Sequence, residues 1–258
     1  MSLFKRMLAS VGIGSSQVDT RLESDQLTPG EEVRGVVVIQ GGHVEQQVSS
    51  IYLQLMTQYI RESDDKKIAE TCVIRRFRIS EPITVGPGET IQVPFQFTLP
   101  PETPTTIGRT PVWLKTSLDI DNALDPTDHD YVQVHPHPSV RTVLEAVHHL
   151  GFRLRKTENE YSPTLGRDLP FVQEFEFAPS PAYRGRLDEL ELVFFPNAHG
   201  VDVLIEVDRR ARGLFGFLEE AMELDERKQV LRFSSADLAR GPAVIASELD
   251  RLIAYHAK

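Results

Sequence analysis

Three strand-like runs separated by two turns occupy residues 18–60, and they constrain the fold more than any other stretch of the chain. A Pro-Gly pair at 29–30 marks the first turn, because proline fixes φ and glycine adopts the conformations that tight turns need. A Gly-Gly pair at 41–42 marks the second. The third run alternates apolar side chains with others, its apolar members being Ile51, Leu53 and Leu55. Three such strands with one apolar face need a second sheet as cover.

Strand patterns and turn signals then recur about every ten residues as far as residue 135, which is typical of a β-sandwich. The further runs lie at 67–79, 90–99, 112–120 and 131–134. Pro94 falls in the middle of the run at 90–99. Because proline has no N–H for a central ladder, this run is predicted to be an edge strand or to contain a bulge.

The second half of the chain begins with a His-Pro-His-Pro stretch at 135–138, which favours extended backbone and reads as a stiff linker. Ser139 is the expected N-cap of a helix over 140–150. Strand patterns return at 152–155, 171–177, 187–195, 201–208 and 229–233, and Gly241-Pro242 opens a last helix. The pattern predicts a mainly β protein with two tandem β-sandwich domains, at 1–135 and 139–258.

Composition excludes several classes of function. A net charge of −10 over 258 residues argues against nucleic-acid binding, which needs a basic face. The single cysteine cannot form an intrachain disulfide and favours a cytoplasmic setting. Since no apolar run is long enough to span a bilayer, membrane contact is expected only through the N-terminal segment.

That segment, residues 1–14, has apolar residues at helical spacing with Lys5 and Arg6 between them. It predicts a short amphipathic helix rather than a signal peptide, because no long apolar core follows. The helix either packs on its own domain or binds a membrane or a partner through its apolar side chains, namely Leu3, Phe4, Met7 and Leu8.

The order of these segments resembles two known lineages. The opening V-D-T-x-L, P-G-E-x-V-x-G-x-V-x-I and I-x-L-x-L motifs resemble the first strands of arrestin-fold proteins. Together with the MSLFKRMLASVGIG start and the stretch EVDRRARGLFGF at 206–217, they resemble the SpoOM sporulation-control family of bacteria over essentially the whole chain. The resemblance implies two tandem arrestin-like (immunoglobulin-like) β-sandwiches, a cytosolic regulatory role and no catalytic centre.

An acidic stretch at 119–130 is the richest cluster of chemically active side chains, comprising Asp119, Asp121, Asp125, Asp128 and Asp130. Oxygen ligands close in sequence suit Ca²⁺. An EF-hand alignment fails, however, because Ala123 replaces a ligand and Leu124 stands where the loop needs glycine. We expect a solvated loop, with a metal-dependent β-sandwich enzyme or ligand-binding protein as the alternative.

Other candidate sites are weaker. The histidines, His129, His135, His137, His148 and His149, show no convergent zinc spacing. Cys72 is interpreted as a small buried hydrophobe. The carboxylates of Glu189, Glu191 and Glu206 are interpreted as the solvent face of their strands rather than as a glycosidase pair. No catalytic residue, cofactor site or metal site is predicted.

The basic run after the strand at 201–208 suggests a different role. Its arginines could pair with acidic side chains of the other domain and form an interdomain charge cluster that responds to pH, salt or phosphate. The hypothesis joins Arg209, Arg210 and Arg212 to Asp119, Asp121, Asp125 and Asp128.

The sequence therefore predicts a non-enzymatic cytoplasmic regulator or scaffold that binds other proteins. The binding surfaces would be exposed strand edges, such as residues 90–99, or the groove between the domains. Self-association through the same edges is an alternative, since an unpaired edge can template another strand. A peripheral membrane adaptor anchored by the N-terminal helix is the remaining alternative.

Overall fold

The structure is a computed structural model that describes residues 16–63, 66–108, 110–120, 125–208 and 228–257. The predicted N-terminal helix lies outside these residues. The first half of the chain is all strand: β1 Gln17–Leu22, β2 Gln26–Leu27, β3 Glu32–Gln40, β4 Gln46–Ser63, β5 Lys66–Arg78, β6 Ile83–Val85, β7 Thr90–Thr98, β8 Val112–Ile120 and β9 Thr127–Val134.

The second half mixes strands with helices. In order it contains α1 Pro138–His149, β10 Arg153–Tyr161, β11 Phe171–Ala178, β12 Glu189–Asn197, β13 Gly200–Asp208, β14 Lys228–Ser234, α2 Ser235–Ala239 and α3 Pro242–His256. The protein is therefore mainly β, as the sequence predicts. Within the described residues, no helix is long and apolar enough to cross a membrane.

The chain forms two compact units whose segments interleave in sequence. Unit 1 comprises residues 1–57, 71–103 and 111–134, and unit 2 comprises 58–70, 104–110 and 135–258. The division at 1–135 and 139–258 stays a prediction. Strand β4 contributes its first part to unit 1 and its last part, from Gln58 onward, to unit 2.

Unit 1 contains two sheets around one apolar core. One sheet has the order β1-β3-β7, and the other places β4 between β8 on one side and β5 and β6 on the other. The core between them is built from alternate residues of these strands, including Val37, Ile39, Ile51, Leu53, Phe95, Leu114 and Leu118. The period-two pattern read from residues 18–60 produces this arrangement, because it gives each sheet one apolar face.

Two positions in the β1-β3-β7 sheet have clear physical reasons. Strand β7 lies at the edge of the sheet, which confirms the prediction from Pro94. Gly35 of β3 allows a close approach, since a Cβ there would lie 2.6 Å from both Arg21 O and the ring of Phe95. A larger residue at position 35 would collide with the backbone of β1 and displace the ring of Phe95.

In unit 2 the described strands form a single antiparallel sheet in the order β14-β13-β12-β11-β10, with Ile60 of β4 beside Glu160 of β10. Its apolar face is covered by α1 and α3, whose buried side chains include Val143, Val147, Leu249 and Ile253. The sequence pattern predicts a second sheet as the cover. Helices take that place because the apolar stripes at 140–147 and 245–253 recur at three- and four-residue spacing.

The first turn of α1 corrects the predicted cap. The N-cap is His137, and Ser139 lies inside the helix. Nδ1 of His137 accepts a hydrogen bond from the Ser139 N–H at 3.2 Å and lies 2.7 Å from Ser139 Oγ. Burial lowers the pKa of the His137 ring, which favours the neutral form that can accept. Proline at 138 suits the first helical position because it has no N–H to satisfy.

Candidate functional site

Two members of the acidic stretch in unit 1 accept hydrogen bonds from backbone N–H groups. Asp125 Oδ1 accepts from the N–H of Ile120 at 3.1 Å, and Asp128 Oδ2 accepts from the N–H of Thr20 at 2.7 Å. Asp128 and Asp130 lie on β9 rather than in a loop, because that strand begins at Thr127. Asp119 is exposed on β8, and Asp121 lies outside the described residues. Within the described parts of the chain, no three acidic, histidine or cysteine side chains converge as a metal site.

The surroundings of Asp130 shift the pKa of its carboxyl group. Burial, followed by the neighbouring charge of Asp128, raises the pKa of Asp130 to about 6. Its buried Oδ2 atom has no hydrogen-bond partner among the described residues. The Asp130 carboxyl group is therefore expected to change its charge near pH 6.

One side of unit 1, which we call the closed seam, joins the two sheets through Thr20, Asp128 and Thr116. In addition to the Thr20–Asp128 hydrogen bond, the hydroxyl oxygens of Thr20 and Thr116 lie 2.6 Å apart. Both threonines are buried. The Asp128 carboxylate thus accepts a hydrogen bond from the outward-facing N–H of Thr20 on β1. Without it, this edge N–H would be available to another strand.

The opposite side, which we call the open seam, lies between β5 and β7. Phe77 of β5 stacks on Phe97 of β7 with ring centroids 4.1 Å apart, so the two strands meet at the margin of the core. Among the described strands, β7 pairs only with β3, and β5 pairs only with β4. Each therefore presents one backbone edge with no strand partner in the described part of the chain.

Unit 2 holds a second unusual group, a row of glutamates on the face of the sheet opposite the helices. We call it the carboxyl row; it consists of Glu160 on β10, Glu174 on β11, Glu191 on β12 and Glu206 on β13. Glu191 lies directly across from Glu206 in the ladder. Glu174 is opposite Glu158, and Glu176 is opposite Glu191, so all these side chains share one face.

The middle of the row is buried. Glu160, Glu174 and Glu191 are only 3%, 5% and 5% exposed, whereas sequence analysis interpreted Glu189 and Glu191 as solvent-facing. That interpretation was wrong, since Glu189 is also 5% exposed. The period-two rule placed these side chains on the correct face, but it contains no information on whether that face is covered.

Proton sharing explains how neighbouring carboxyls can be buried together. Burial, and then the charges and hydrogen bonds of Glu160 and Glu191, raise the pKa of Glu174 to about 11. Burial chiefly, with Glu206 and Glu189 nearby, raises the pKa of Glu191 to about 8. Glu174 is therefore a neutral acid at pH 7, and its proton can be donated to a neighbouring carboxylate.

Basic side chains pair with Glu160 at one end of the row and with glutamates beside the row. Lys156 Nζ lies 2.7 Å from Glu158 and 3.3 Å from Glu160. Arg155 lies 3.3 Å from Glu176 and 3.9 Å from Glu189. The sequence contains a signal for this arrangement, because glutamates recur at alternate positions in consecutive strands of unit 2. The sequence does not give the strand register that aligns these glutamates.

The remaining predicted residues are placed as follows. The arginines of the proposed interdomain cluster, Arg209, Arg210 and Arg212, and the N-terminal residues Leu3, Phe4, Met7 and Leu8 lie outside the described residues. Both hypotheses stay predictions. His129, His135, His148 and His149 are exposed on the surface. Cys72 is buried on β5, and burial raises the pKa of its thiol.

Comparison with known proteins gives the lineage. The family model described as SpoOM protein matches residues 4–211. The sporulation-control protein spo0M of Bacillus subtilis (strain 168) is 47% identical over 239 residues, which is 92% of this chain and 93% of the relative. The crystal structure of Spo0M from Bacillus subtilis matches with a TM-score of 0.89 and 44% identity, covering 95% of this chain and 100% of that one. The chain belongs to the SpoOM protein family.

Proposed function

We propose that this protein is a regulator of the sporulation-control type that acts in the cytoplasm by binding other proteins and catalyses no reaction. The name of its 47% identical relative supports the regulatory part. The arrestin-like arrangement proposed for unit 1, two sheets around one core, supports the binding part, since such a scaffold offers strand edges to partners.

The observation that carries the proposal is the difference between the two seams of unit 1. At the closed seam, Asp128 occupies a β1 edge N–H. At the open seam, within the described chain, β7 has β3 as its one strand partner. Proteins commonly protect long sheet edges, so an edge left open on one side only is a candidate binding surface.

The hydrogen bonds at the two ends of β7 define which backbone groups face outward. Leu99 donates its N–H to Glu31 O at 2.9 Å, and Glu89 O accepts from Gly41 N at 2.7 Å. Since ladder bonding alternates along an antiparallel strand, the even-numbered residues of β7 direct their N–H and C=O groups away from β3. Pro94 lies at such a position, so its missing N–H costs the sheet no hydrogen bond.

A proline at a second outward position tests whether the β7 edge binds the partner. Gln96→Pro removes one outward N–H, and we expect it to change the free energy of unfolding by less than about 0.5 kcal/mol because no ladder bond is lost. In a Bacillus subtilis strain that lacks its own Spo0M, the unaltered chain should restore the control of sporulation, measured as heat-resistant spore counts, and Gln96→Pro should not.

Gln96→Ala is the matched control, since it removes the same side chain and keeps the N–H. The single tryptophan, Trp113, is buried in unit 1, so its fluorescence reports whether each variant folds. A folded Gln96→Pro variant that restores spore counts fully would exclude the β7 edge as the binding surface. A chain that never restores them would contradict the regulatory proposal itself.

A further inference from the structure

We propose that strand β5, the other strand of the open seam, binds an extended acidic segment of a partner protein by adding it as a new strand. This inference rests on the proposed function, because it names the chemistry of the partner that the open seam takes. The part of β5 within unit 1, residues 71–78, carries the argument.

The edge of β5 is long and has few of the usual protections. The strand has 13 residues, contains no proline or glycine, and pairs with β4 alone among the described strands. Most of its side chains are exposed, including the apolar Val73 at 42%. In contrast, β7 carries Pro94 at its outward edge, which leaves an incoming strand one donor short.

The charge of this edge selects the partner. Residues 71–78 contain three arginines and no acidic residue, in a protein whose net charge is −10. Arg75 lies 2.6 Å from Glu102, Arg78 lies 3.7 Å from Glu81, and Arg76 stacks on Tyr52 at 3.6 Å from the ring centroid. Each contact orients a guanidinium group, and a guanidinium has five N–H donors, more than one such carboxylate can use.

A second copy of this chain fits the edge poorly. Parallel pairing of two β5 strands would place arginine beside arginine. Antiparallel pairing of two full-length β5 strands would place Arg78 of one copy beside Lys66 of the other. Like charges directly across a ladder destabilise it, so the same side chains that attract an acidic partner disfavour self-association.

The order of side chains along β5 further specifies which side chains the partner strand needs. Cys72 and Ile74 of β5 are buried, whereas Val73 between them is exposed. The alternation then breaks, because Arg75 and Arg76 are both exposed before Phe77 packs on the core. A strand added at this edge would therefore need an apolar side chain beside Val73 and carboxylates beside the arginines. Backbone hydrogen bonds would supply affinity, and the carboxylate–guanidinium pairs would supply specificity and register.

The test uses the full chain and a fluorescent nine-residue peptide of valine and glutamate, with fluorescence anisotropy as the readout. The peptide should bind, and its lysine counterpart should bind at least ~10-fold more weakly. Combined substitution of Arg75→Glu, Arg76→Glu and Arg78→Glu should reverse this preference. Reversal is more informative than loss, because an unfolded variant would bind neither peptide selectively.

Two controls separate strand addition from general charge attraction. Arg34→Glu on β3 changes the charge of an exposed arginine elsewhere in unit 1 and should leave the preference unchanged. An acidic peptide with alternate backbone nitrogens methylated keeps its charge but cannot complete a ladder, so it should not bind. Equal binding of the methylated peptide, no binding of the acidic peptide, or no reversal in the triple variant would each overturn the proposal.

The proposed function can fail or survive separately. If the acidic peptide does not bind but Gln96→Pro still abolishes spore restoration, the β5 inference is wrong and binding through β7 stands. If the charge preference reverses as expected but the triple variant restores spore counts fully, the β5 edge binds acidic strands and the regulatory role does not depend on it, which overturns the assignment of this partner to the proposed function.

Discussion

The closed seam of unit 1 and the carboxyl row of unit 2 both hold acidic side chains against a sheet, and they treat the charge in opposite ways. At the seam, the Asp128 carboxylate accepts a backbone N–H from buried Thr20. In the carboxyl row, Glu174 faces Glu160 and Glu191. Instead of being stabilised as a charged group by a backbone N–H, Glu174 keeps its own proton there. A buried carboxyl group can be stabilised in its charged form by donors or kept as a neutral acid, so the two regions should respond oppositely to loss of charge.

The largest effect is expected for Glu174→Gln. The pKa of Glu174 is raised to about 11, so in the folded state it keeps a proton that the unfolded chain loses near pH 4.5. A raised carboxyl pKa makes the free energy of unfolding fall as pH rises through this window, by about 1.4 kcal/mol per pH unit for each such proton. Glutamine keeps a donor without titrating. Unit 2 should gain about 5 kcal/mol at pH 8 and nothing near pH 4.

Hydrogen exchange of peptides from β11 and β12 measures this gain, because these strands lie in unit 2 and Trp113 does not. Glu176→Gln is the matched control, since Glu176 is also on β11 but pairs with Arg155. It should lose a small amount of stability and keep the pH dependence. If Glu174→Gln destabilises unit 2 at pH 8, Glu174 is not a neutral acid in the fold.

A smaller effect of opposite sign is expected for Asp128→Ala. The substitution leaves the buried N–H of Thr20 without its acceptor, and a buried unsatisfied donor costs about 2 kcal/mol. Denaturant unfolding followed by Trp113 fluorescence should show that loss. Asp128→Asn keeps an oxygen acceptor and should retain most of the stability; an equal loss in both variants would mean that the hydrogen bond does not stabilise the seam.

The smallest effect is expected for Asp130→Asn. Asp130 lies on β9 near the closed seam, but its pKa is raised like those of Glu174 and Glu191 in the carboxyl row. The pKa of Asp130 is raised to about 6, so its stabilising proton is lost as pH rises between about 4 and 6. At pH 7 the variant should be more stable by about 1 kcal/mol, since Asp130 is partly exposed and solvent screens its charge. At pH 4 the Trp113 unfolding midpoints of the two proteins should coincide, and a gain that persists there would exclude titration of Asp130 as the cause.

Sequence alone predicted the strands of unit 1 because one physical signal, period-two alternation between turns, decides both the element and its buried face. Strand β8 has the bounds of the predicted run at 112–120, and β3 lies between the turn signals at 29–30 and 41–42. The edge position of β7 followed from a single missing N–H at Pro94. Local chemistry of this kind can be read directly from residue types.

The sites were harder to predict because they depend on register and cover, which are not local. The aspartates that cluster in sequence serve backbone groups in the structure, as Asp125 and Asp128 show. The glutamates of the carboxyl row are spread over 46 positions, from 160 to 206, and meet only through the pairing of four strands. Strand β10 shows the same limit, because the run predicted at 152–155 covers only three of its nine residues, Arg153–Tyr161.

The long β4 strand has a consequence for synthesis on the ribosome. Tyr59, near its end, stacks in unit 2 on Tyr161 and Phe171, which are translated about a hundred residues later. The backbone carbonyl of Gln58 likewise receives the side-chain amide of Asn159 at 2.9 Å. The hairpin of β4 and β5 therefore leaves the ribosome before the rest of unit 2 is synthesised, and its aromatic surface stays uncovered during that time. Chaperone demand should be greatest in that interval, and a gene cut at the His-Pro linker would separate unit 2 from part of its own core.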